Sequence, residues 1–298
     1  MPKQHFLTPA SPRTKRLPSW FKVVPKRGEK YLKIRDLGKG LNLHTVCEEA
    51  RCPNIWECWN AGTATFMILG EICTRSCGFC NVAFGRPGPI DLAEPRHVAE
   101  AIARLGLQHA VITSVNRDEL EDGGAEIFAE TIRQIRRQVP DCTIETLIPD
   151  FQGKPWAIDK VLQSRPDILA HNLETVPRCY RLVRPQAQYA RSLKVLIRSK
   201  EAGLLTKTGL MLGIGETLEE VEAVMKDLVR IGCDLLTLGQ YLQPTSKHLP
   251  VDRFLNPSEF SALKERGERM GLRHVEAGPL VRSSYRAASQ ANKLPMSL

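Results

Sequence analysis

The sequence predicts an α/β fold, an incomplete (β/α)6 barrel of the TIM type with an extension at each end. From residue 63 onward, short apolar runs alternate with longer segments of helical periodicity, giving six strand–helix repeats. This order is typical of parallel strands joined by right-handed helical crossovers. No G-x-G-x-x-G follows the first apolar run, as a dinucleotide-binding sheet requires, and a cysteine-rich loop stands there instead. Because the loops after barrel strands build active sites, an open barrel fits this arrangement better than a doubly wound sheet.

The predicted strands and helices follow one another in a regular order. The apolar runs predict strands at 63–69, 109–115, 143–149, 167–174, 207–213 and 235–241. The periodic segments predict helices at 95–106, 124–138, 155–164, 188–202 and 217–231. The last helix begins with a capping box, formed by Thr217 at the N-cap and Glu220 three residues later. Glycine closes three of the helices, as is typical of helix C-termini, at Gly106, Gly203 and Gly232.

These elements divide the chain into three parts. Residues 63–255 form the predicted barrel, residues 1–62 an N-terminal extension, and residues 256–298 a C-terminal extension. Residues 1–40 (the basic arm) hold eleven Lys/Arg and two Asp/Glu, which accounts for the whole net charge of +9. We interpret the basic arm either as a solvated tail or as a surface that attracts an acidic partner. Prolines at positions 2, 9, 12 and 18 disfavour the amphipathic helix of a mitochondrial transit peptide.

Composition restricts the compartment and the class of protein. The chain has 298 residues and is 42% apolar, which is enough for a substantial core. No apolar run approaches the roughly 18 residues of a membrane span, and the N-terminus lacks the apolar segment of a secretory signal. We therefore expect a cytoplasmic protein without a membrane partner. Nine cysteines in such a chain indicate metal binding or catalysis rather than disulfide bonds.

Six of the nine cysteines fall into two sets of three. The first cysteine set, spaced C-x3-C-x2-C, is Cys73, Cys77 and Cys80; the second cysteine set, spaced C-x4-C-x5-C, is Cys47, Cys52 and Cys58. Structural zinc sites join two C-x2-C-like pairs, and the six contain one such pair, so zinc is disfavoured. A 4Fe–4S cluster fits better, because one short loop can wrap it with several thiolates. Three thiolates leave one iron open to a substrate or cofactor, as catalytic metals commonly require.

The first cysteine set, placed in the loop after the first strand, resembles the radical S-adenosylmethionine superfamily. Within that superfamily, six segments resemble the lipoyl synthase family: "CEEARCPNIWECW" at 47–59, "CTRSCGFCNV" at 73–82, "TSVNRDELEDGGA" at 113–125, "HNLETV" at 171–176, "GLMLGIGE" at 209–216 and "GPLVRSSY" at 278–285. The resemblance extends from about residue 17 to residue 287, and no ligand position departs from the family pattern.

This resemblance implies a sulfurtransferase that inserts two sulfur atoms, at C6 and C8 of an octanoyl-lysine on a lipoyl carrier domain. It implies S-adenosylmethionine and two 4Fe–4S clusters as cofactors. The first cysteine set would hold the cluster that generates 5′-deoxyadenosyl radicals, and the second would hold an auxiliary cluster that donates sulfide. Ser284, in the "RSSY" motif at 282–285, would be the fourth ligand of the auxiliary cluster and act in catalysis. Without the cysteines, this motif would be interpreted as an ordinary polar turn.

The resemblance also implies contacts to S-adenosylmethionine, and each has a structural alternative. Gly123 and Gly124 would meet the methionyl amino group, or they form a helix-entry turn. Asn172 and Glu174 would reach the ribose hydroxyls, or they are a buried polar pair at the barrel mouth. Met211 would line the adenine, or it belongs to the core.

The partners implied by the resemblance are octanoylated carrier domains, namely 2-oxoacid dehydrogenase E2 subunits and the glycine cleavage H protein. A low-potential electron donor such as ferredoxin or flavodoxin and cluster-repair proteins are implied as well. Two alternatives stay open: another radical sulfur-inserting or methylthiolating enzyme of the superfamily, and a basic, zinc-bearing nucleic-acid-binding module. The confinement of the charge to residues 1–40 disfavours the second alternative, so we expect no nucleic-acid partner.

Overall fold

The computed structural model describes residues 16–23, 28–40, 43–49, 52–291 and 293. Its α-helices are α1 (Glu29–Gly40), α2 (Val46–Glu49), α3 (Ile55–Asn60), α4 (Glu94–Leu105), α5 (Ala125–Gln138), α6 (Pro155–Gln163), α7 (Tyr180–Val183), α8 (Tyr189–Glu201), α9 (Leu218–Arg230), α10 (Pro257–Met270) and α11 (Ala287–Ala291). Its strands are β1 (His44–Thr45), β2 (Ala64–Ile68), β3 (Ile72–Cys73), β4 (Ala83–Phe84), β5 (His109–Ser114), β6 (Thr143–Leu147), β7 (Ile168–Ala170), β8 (Leu205–Leu212), β9 (Leu235–Gln240) and β10 (His274–Gly278). Three short 3-10 helices lie at Ser19–Phe21, Phe151–Gly153 and Pro177–Cys179. Residues 1–15 of the basic arm lie outside the described residues.

The main sheet has eight strands in the order β1-β2-β5-β6-β7-β8-β9-β10. β1 pairs antiparallel with β2, and every other neighbouring pair in this sheet is parallel. The sheet therefore keeps two open ends, and the predicted incomplete α/β barrel is confirmed. A second, two-stranded parallel sheet joins β3 to β4 around the first cysteine set.

The predicted elements of the barrel are present. The six predicted strands correspond to β2 and β5–β9, and the five predicted helices to α4, α5, α6, α8 and α9. The capping box at Thr217 is confirmed, because its side chain accepts from the Glu220 backbone while the Glu220 carboxylate accepts from Thr217. The strand predicted at 167–174 is shorter, since β7 ends at Ala170 and the chain then departs from the ladder. Residues 256–298 contain α10 and β10, and β10 extends the sheet by pairing with β9.

Amphipathic helices cover the outside of the sheet. α4 buries Val98 and Ile102, and α5 buries Phe128 and Ile132, all at helical spacing. Burial of each large apolar side chain contributes roughly 1.5–3 kcal/mol relative to exposure. The three cysteines outside the two sets are buried and pack in the core: Cys142, Cys179 and Cys233.

Aromatic packing fixes α3, the helix that contains Cys58 of the second cysteine set. Trp59 is fully buried, and its ring centroid lies 5.1 Å from that of Tyr31 on α1. The ring of Trp56 stacks on the other side of the same tyrosine at 4.5 Å. α3 is thereby held against the core beside β2.

Among the described helices, none combines the length and the hydropathy that crossing a bilayer requires.

Candidate active site and cysteine centres

One cavity of about 550 Å³ lies at the carboxyl ends of the parallel strands. All six cysteines of the two sets line it, although the sets are separate in sequence. The predicted residues Asn172, Glu174, Met211 and Ser284 line it too. The structure therefore brings together ten of the twelve predicted site residues around a single space.

Neighbouring loops hold the first cysteine set at the mouth of this cavity. The Gly78 N–H donates to the Val183 carbonyl at 2.9 Å, and the Leu249 N–H donates to the Gly78 carbonyl at 3.0 Å. The His248 ring contacts the Cys80 carbonyl oxygen at 2.9 Å. The cluster-binding loop is thus fixed from the segments after α7 and after β9.

Backbone donors already face one sulfur of the first set. The Cys73 Sγ accepts from the backbone N–H of Arg75 at 3.4 Å and of Asn116 at 3.3 Å. Hydrogen bonds to sulfur are among the features that set the potential of an iron–sulfur cluster. Burial raises the pKa of the Cys77 thiol to about 11 and of the Cys80 thiol to about 12. Metal binding at these residues therefore has to displace protons.

A buried ionic network stands behind the first set. The Arg75 guanidinium donates to Asp118 at 2.6 and 2.8 Å and to Asp150 at 2.7 Å. Asp150 also contacts Arg191 at 3.2 Å. Burial alone would raise the pKa of Asp150, but the hydrogen bond and charge of Arg75 outweigh it and lower the pKa to about 2. The network ties the cysteine loop to the segments after β5 and β6.

In the second cysteine set, Cys47 is buried and Cys52 and Cys58 are half-buried. Burial, followed by neighbouring thiols of the set, raises the pKa of Cys47 to about 11 and of Cys58 to about 12. The backbone N–H groups of Thr65, Asn54 and Arg286 lie beside Cys47, Cys52 and Cys58 respectively and oppose the rise in the thiol pKa. The last of these donors comes from the C-terminal extension.

Residues 280–286 (the tail turn) are fastened to α3 on both sides of Ser284. Before the serine, the Asn54 side chain donates to the Leu280 carbonyl at 2.5 Å. After it, the Glu57 carboxylate accepts from the Tyr285 hydroxyl at 3.1 Å and from Arg286 at 2.8 and 3.0 Å. These contacts place Ser284 in the wall that contains the second cysteine set.

The predicted ribose-binding residues stand at the end of β7. The Asn172 side chain donates to the Glu174 carboxylate at 3.0 Å. Glu174 has a φ of 67°, which is uncommon for a residue with a side chain. Its N–H donates to the Gly209 carbonyl at 2.8 Å, and its carbonyl accepts from Met211 at 2.9 Å, so β8 holds it in this conformation. Strain of this kind is concentrated at functional sites.

Gly123 and Gly124 lie outside the lining of the cavity. Both have left-handed φ values, 62° and 89°, at the entry to α5. A Cβ on Gly124 would stand 2.3 Å from a methyl carbon of Leu69, and one on Gly123 would stand 2.9 Å from the Phe151 ring. Glycine is therefore favoured at both positions by packing and backbone conformation, and the contact of this pair with the methionyl amino group stays a prediction.

Four cavity residues were missed by the sequence reasoning: Arg75, His171, Arg184 and Arg282. Three of them, Arg75, His171 and Arg282, lie inside the quoted motif segments, so membership of a motif was an available signal. Among the described residues, five buried polar atoms that belong to cavity-lining side chains have no hydrogen-bond partner: Ser114 Oγ, Asn116 Oδ1, His171 Nε2, Asn172 Oδ1 and Arg184 Nε. Buried polar atoms are normally paired, so these atoms fit a polar ligand such as S-adenosylmethionine.

The distances between the thiols in space distinguish a single zinc ion from an iron–sulfur cluster. Zinc–sulfur bonds of about 2.3 Å would bring tetrahedral thiolates within about 4 Å of each other. In the described part of the chain, the one group of three ligand side chains within 4.8 Å of one another is His44, Glu49 and Glu71. Neither cysteine set is that compact, so both fit a multi-iron cluster better than a single ion.

The fold and the cysteine loop after the first barrel strand define a radical S-adenosylmethionine protein. Residues 67–228 match the Radical SAM superfamily, and residues 6–52 match the N-terminal domain of lipoyl synthase of the Radical SAM family. Methylornithine synthase superposes with a TM-score of 0.54 at 13% identity, covering 82% of this chain and 81% of that chain. Streptococcus suis SuiB bound to its precursor peptide superposes at 0.59 and 12% identity, covering 89% and 56%. At these identities, the likeness shows the fold alone.

Curated relatives narrow the class to one family. The lipoyl synthase of Rubrobacter xylanophilus is 59% identical over 92% of this chain and 86% of the relative. That of Koribacter versatilis is 56% identical over 96% and 94%. The chain belongs to the lipoyl synthase family. It is a sulfur-transferring enzyme that uses S-adenosylmethionine and 4Fe–4S chemistry.

Proposed function

We propose that this enzyme inserts two sulfur atoms, at C6 and C8 of an octanoyl group on a carrier-domain lysine, and that it holds two 4Fe–4S clusters to do so. The observation that carries the proposal is the single cavity lined by both cysteine sets and by Ser284. One set serves radical formation and the other serves sulfur donation, so both must reach the same substrate. A cavity of about 550 Å³ is in the usual range for a site that encloses a small molecule.

The chemistry explains why two such centres are needed. The C–H bonds at C6 and C8 are unactivated and not acidic, so a general acid or base cannot cleave them by proton transfer. When bound at the first set, the cluster and S-adenosylmethionine supply a 5′-deoxyadenosyl radical, and a cofactor thereby carries the hard chemistry. The protein supplies ligands, orientation and exclusion of water.

This chain's residues then have separate tasks. The first cysteine set binds one cluster, with Arg75 holding its loop in place. Asn172 and Glu174 accept hydrogen bonds from the ribose hydroxyls, and Met211 lies against the adenine. The second cysteine set and Ser284 bind the auxiliary cluster. Apolar side chains of the same cavity, Met67 and Leu147 among them, suit an eight-carbon acyl chain.

The proposed partners follow from the family. The substrates are octanoylated lipoyl domains, those of 2-oxoacid dehydrogenase E2 subunits and of the glycine cleavage H protein. A cytoplasmic, low-potential donor such as ferredoxin or flavodoxin supplies electrons, and cluster-repair proteins restore the sulfide that is consumed.

Anaerobic turnover with an octanoylated lipoyl domain tests the proposal. Mass analysis should show replacement of two hydrogens by two sulfurs, and the loaded enzyme should contain about eight iron atoms per chain, four for each cluster. The matched control is Cys142→Ser, which alters a buried cysteine outside both sets and should retain the iron. About four iron atoms per chain, or a product with one sulfur, would contradict the proposal.

A further inference from the structure

Arg282, the first residue of the "RSSY" motif, occupies a central position in the cavity wall. It contributes to the lining together with both cysteine sets. One of its guanidinium nitrogens, Nη1, donates to the Val281 carbonyl at 2.7 Å. The same nitrogen would lie 3.4 Å from a Cβ at Gly239, so the side chain rests on the end of β9. Neither its position in the motif nor the proposed function assigns it a task.

The charged neighbours of Arg282 are a cysteine of the second set and a proposed ribose ligand. Burial raises the pKa of the Cys52 thiol, while the Asn54 N–H and then the charge of Arg282 oppose that rise. Burial lowers the pKa of Arg282 itself, and the charges of Cys52 and Glu174 oppose this effect. The geometry agrees, because the turn that carries Arg282 is held to Asn54 and Glu57 beside Cys58, and the side chain lines the same cavity as both cysteine sets.

Arg282 lacks the carboxylate partner that Arg75 and Arg286 have. Arg75 pairs with Asp118 and Asp150, and Arg286 pairs with Glu57. Within the described residues, no carboxylate oxygen lies within 4.0 Å of an Arg282 nitrogen, the distance that defines those pairs. The side chain is half-buried in the cavity wall, and a cation without a paired anion favours a negative group beside it once the cavity is filled.

We infer that Arg282 is the counter-cation of the second cysteine set and raises the reduction potential of the iron–sulfur cluster bound there. The inference rests on the proposed function, in which that set binds a cluster. Thiolate-ligated clusters carry net negative charge, and each added electron increases it, so a nearby cation in the cavity wall stabilises the reduced form more than the oxidised form. The Tyr285 N–H donates to the Arg282 carbonyl at 2.9 Å and closes a turn. The same turn therefore carries both the Arg282 guanidinium and Ser284.

The test isolates the second cluster in the full-length chain. In a Cys73→Ala, Cys77→Ala, Cys80→Ala background, the second set alone can bind iron, and its midpoint potential is measured by spectroelectrochemical titration. Arg282→Gln should disfavour one-electron reduction by about tenfold, a shift of about 59 mV to more negative potential. Arg282→Lys keeps the charge and should stay near the parent value.

Arg286→Gln is the matched control. It removes a cation from the same turn, but this cation is exposed and paired with Glu57, so screening makes its expected shift much smaller. An unshifted potential in Arg282→Gln, or an equal shift in Arg286→Gln, would overturn the inference.

Iron content separates the remaining outcomes. Loss of iron in Arg282→Gln with retention in Arg282→Lys would support the charge role, whereas loss in both would show that the shape of the guanidinium matters instead. If the triple-alanine parent itself bound no iron, the second cluster of the proposed function would be refuted together with this inference. A loaded cluster with an unmoved potential refutes the role of Arg282 alone.

Discussion

At the scale of single residues, each cysteine set combines thiols in the cavity wall with backbone N–H groups already in place. Cys73 accepts two backbone N–H groups, and the Arg286 N–H of the C-terminal extension lies beside Cys58. Such donors need no rearrangement when a cluster binds, because the surrounding turns already hold them. The two sets differ in the fourth ligand position of the proposed cluster. The polar cavity faces this position in the first set, and Ser284 would occupy it in the second.

We expect the two sets to be separable by mutation. Cys77→Ala should abolish both reductive cleavage of S-adenosylmethionine and product formation, because the radical-generating cluster loses a ligand. Cys52→Ala should retain cleavage to 5′-deoxyadenosine but form no lipoyl group. Chromatography of both products in one anaerobic assay provides the measurement. Lipoyl product at the parent yield in Cys52→Ala would show that sulfur does not come from the second set.

Ser284 is expected to be a weak ligand of the auxiliary cluster because of its donor atom. A serine oxygen is hard and poorly matched to iron–sulfur clusters, where thiolates are usual, so its bond releases readily. Ser284→Cys should assemble both clusters and cleave S-adenosylmethionine, yet insert sulfur poorly, because the softer ligand is retained. The measurement is lipoyl product per chain in a single turnover, alongside iron content. Ser283→Ala is the neighbouring control and should be much milder; full activity in Ser284→Cys would move the ligand elsewhere.

The buried carboxylate Asp150 should contribute to stability in a pH-dependent way. Its folded-state pKa of about 2 lies below the ordinary value of 3.8, so its contribution is fully present above about pH 4 and disappears as pH falls towards 2. The shift corresponds to roughly 2 kcal/mol. Asp150→Asn should lose about this much at pH 7 in urea unfolding, and the difference from the parent should shrink at low pH.

Asp159→Asn provides the comparison for that prediction. Asp159 pairs with Arg198 on the surface, where both side chains are more than one-third exposed, so its removal should cost at most about 1 kcal/mol. Equal losses in Asp159→Asn and Asp150→Asn would show that the Arg75 network has no special weight.

At the scale of elements, α3 and the tail turn form one unit although they are far apart in sequence. Asn54 and Leu280 are separated by 226 positions. Glu57 receives both Tyr285 and Arg286, immediately after the serine. The position of Ser284 therefore depends on a helix from the opposite end of the chain.

Glu57→Gln should loosen the tail turn without unfolding the protein. The ion pair with Arg286 is exposed, so global stability should change by less than about 1 kcal/mol. Local opening should nevertheless increase, and trypsin should cut after Arg286 several-fold faster in the metal-free protein. Glu222→Gln, which removes a surface pair with Arg266 between α9 and α10, is the control. Unchanged cleavage at Arg286 would mean that Glu57 does not hold the turn.

The barrel could be predicted from sequence, because strand and helix patterns are local. Periodicity located six strands and five helices, and the capping residues at Thr217 located one helix start to the residue. β10 and α10 were missed, although α10 also begins with a capping box, at Asn256 and Glu259. The strand predicted at 167–174 was too long, because β7 ends at Ala170 and an isolated bridge between Glu174 and Leu210 replaces the continuous ladder.

The residues of the candidate site could be predicted only where they belong to a recognisable sequence motif. The six cysteines, Asn172, Glu174, Met211 and Ser284 line the cavity as the resemblance implied. No sequence pattern predicts the hydrogen bonds from the tail turn to Glu57 or the ion pair of Arg75 with Asp150. These contacts join segments far apart in sequence, and periodicity describes each segment by itself. Gly123 and Gly124 are a mixed case, because packing favours glycine at both positions while the ligand contact that the motif implies stays a prediction.

At the scale of the whole molecule, charge is distributed unevenly, with the entire excess in residues 1–40. Deleting residues 1–16 should weaken apparent affinity for an acidic carrier domain and reduce its salt dependence, because steering by exposed charge is screened by salt. Turnover of a short octanoyl-lysine peptide should barely change. Steady-state kinetics with both substrates at two ionic strengths measure this. Equal losses on protein and peptide would indicate a structural role for the arm.

The fastening of the tail turn to α3 has a consequence for the order of biosynthesis. A ribosome releases residues 47–58 more than 200 positions before it releases residues 280–286. The first cysteine set lacks its supporting segments around Val183 and Leu249 until most of the chain has emerged, but the second set must wait for residues 280–286. We therefore expect that a chain still being translated cannot complete the proposed sulfur-donating centre, and that this centre is loaded after translation.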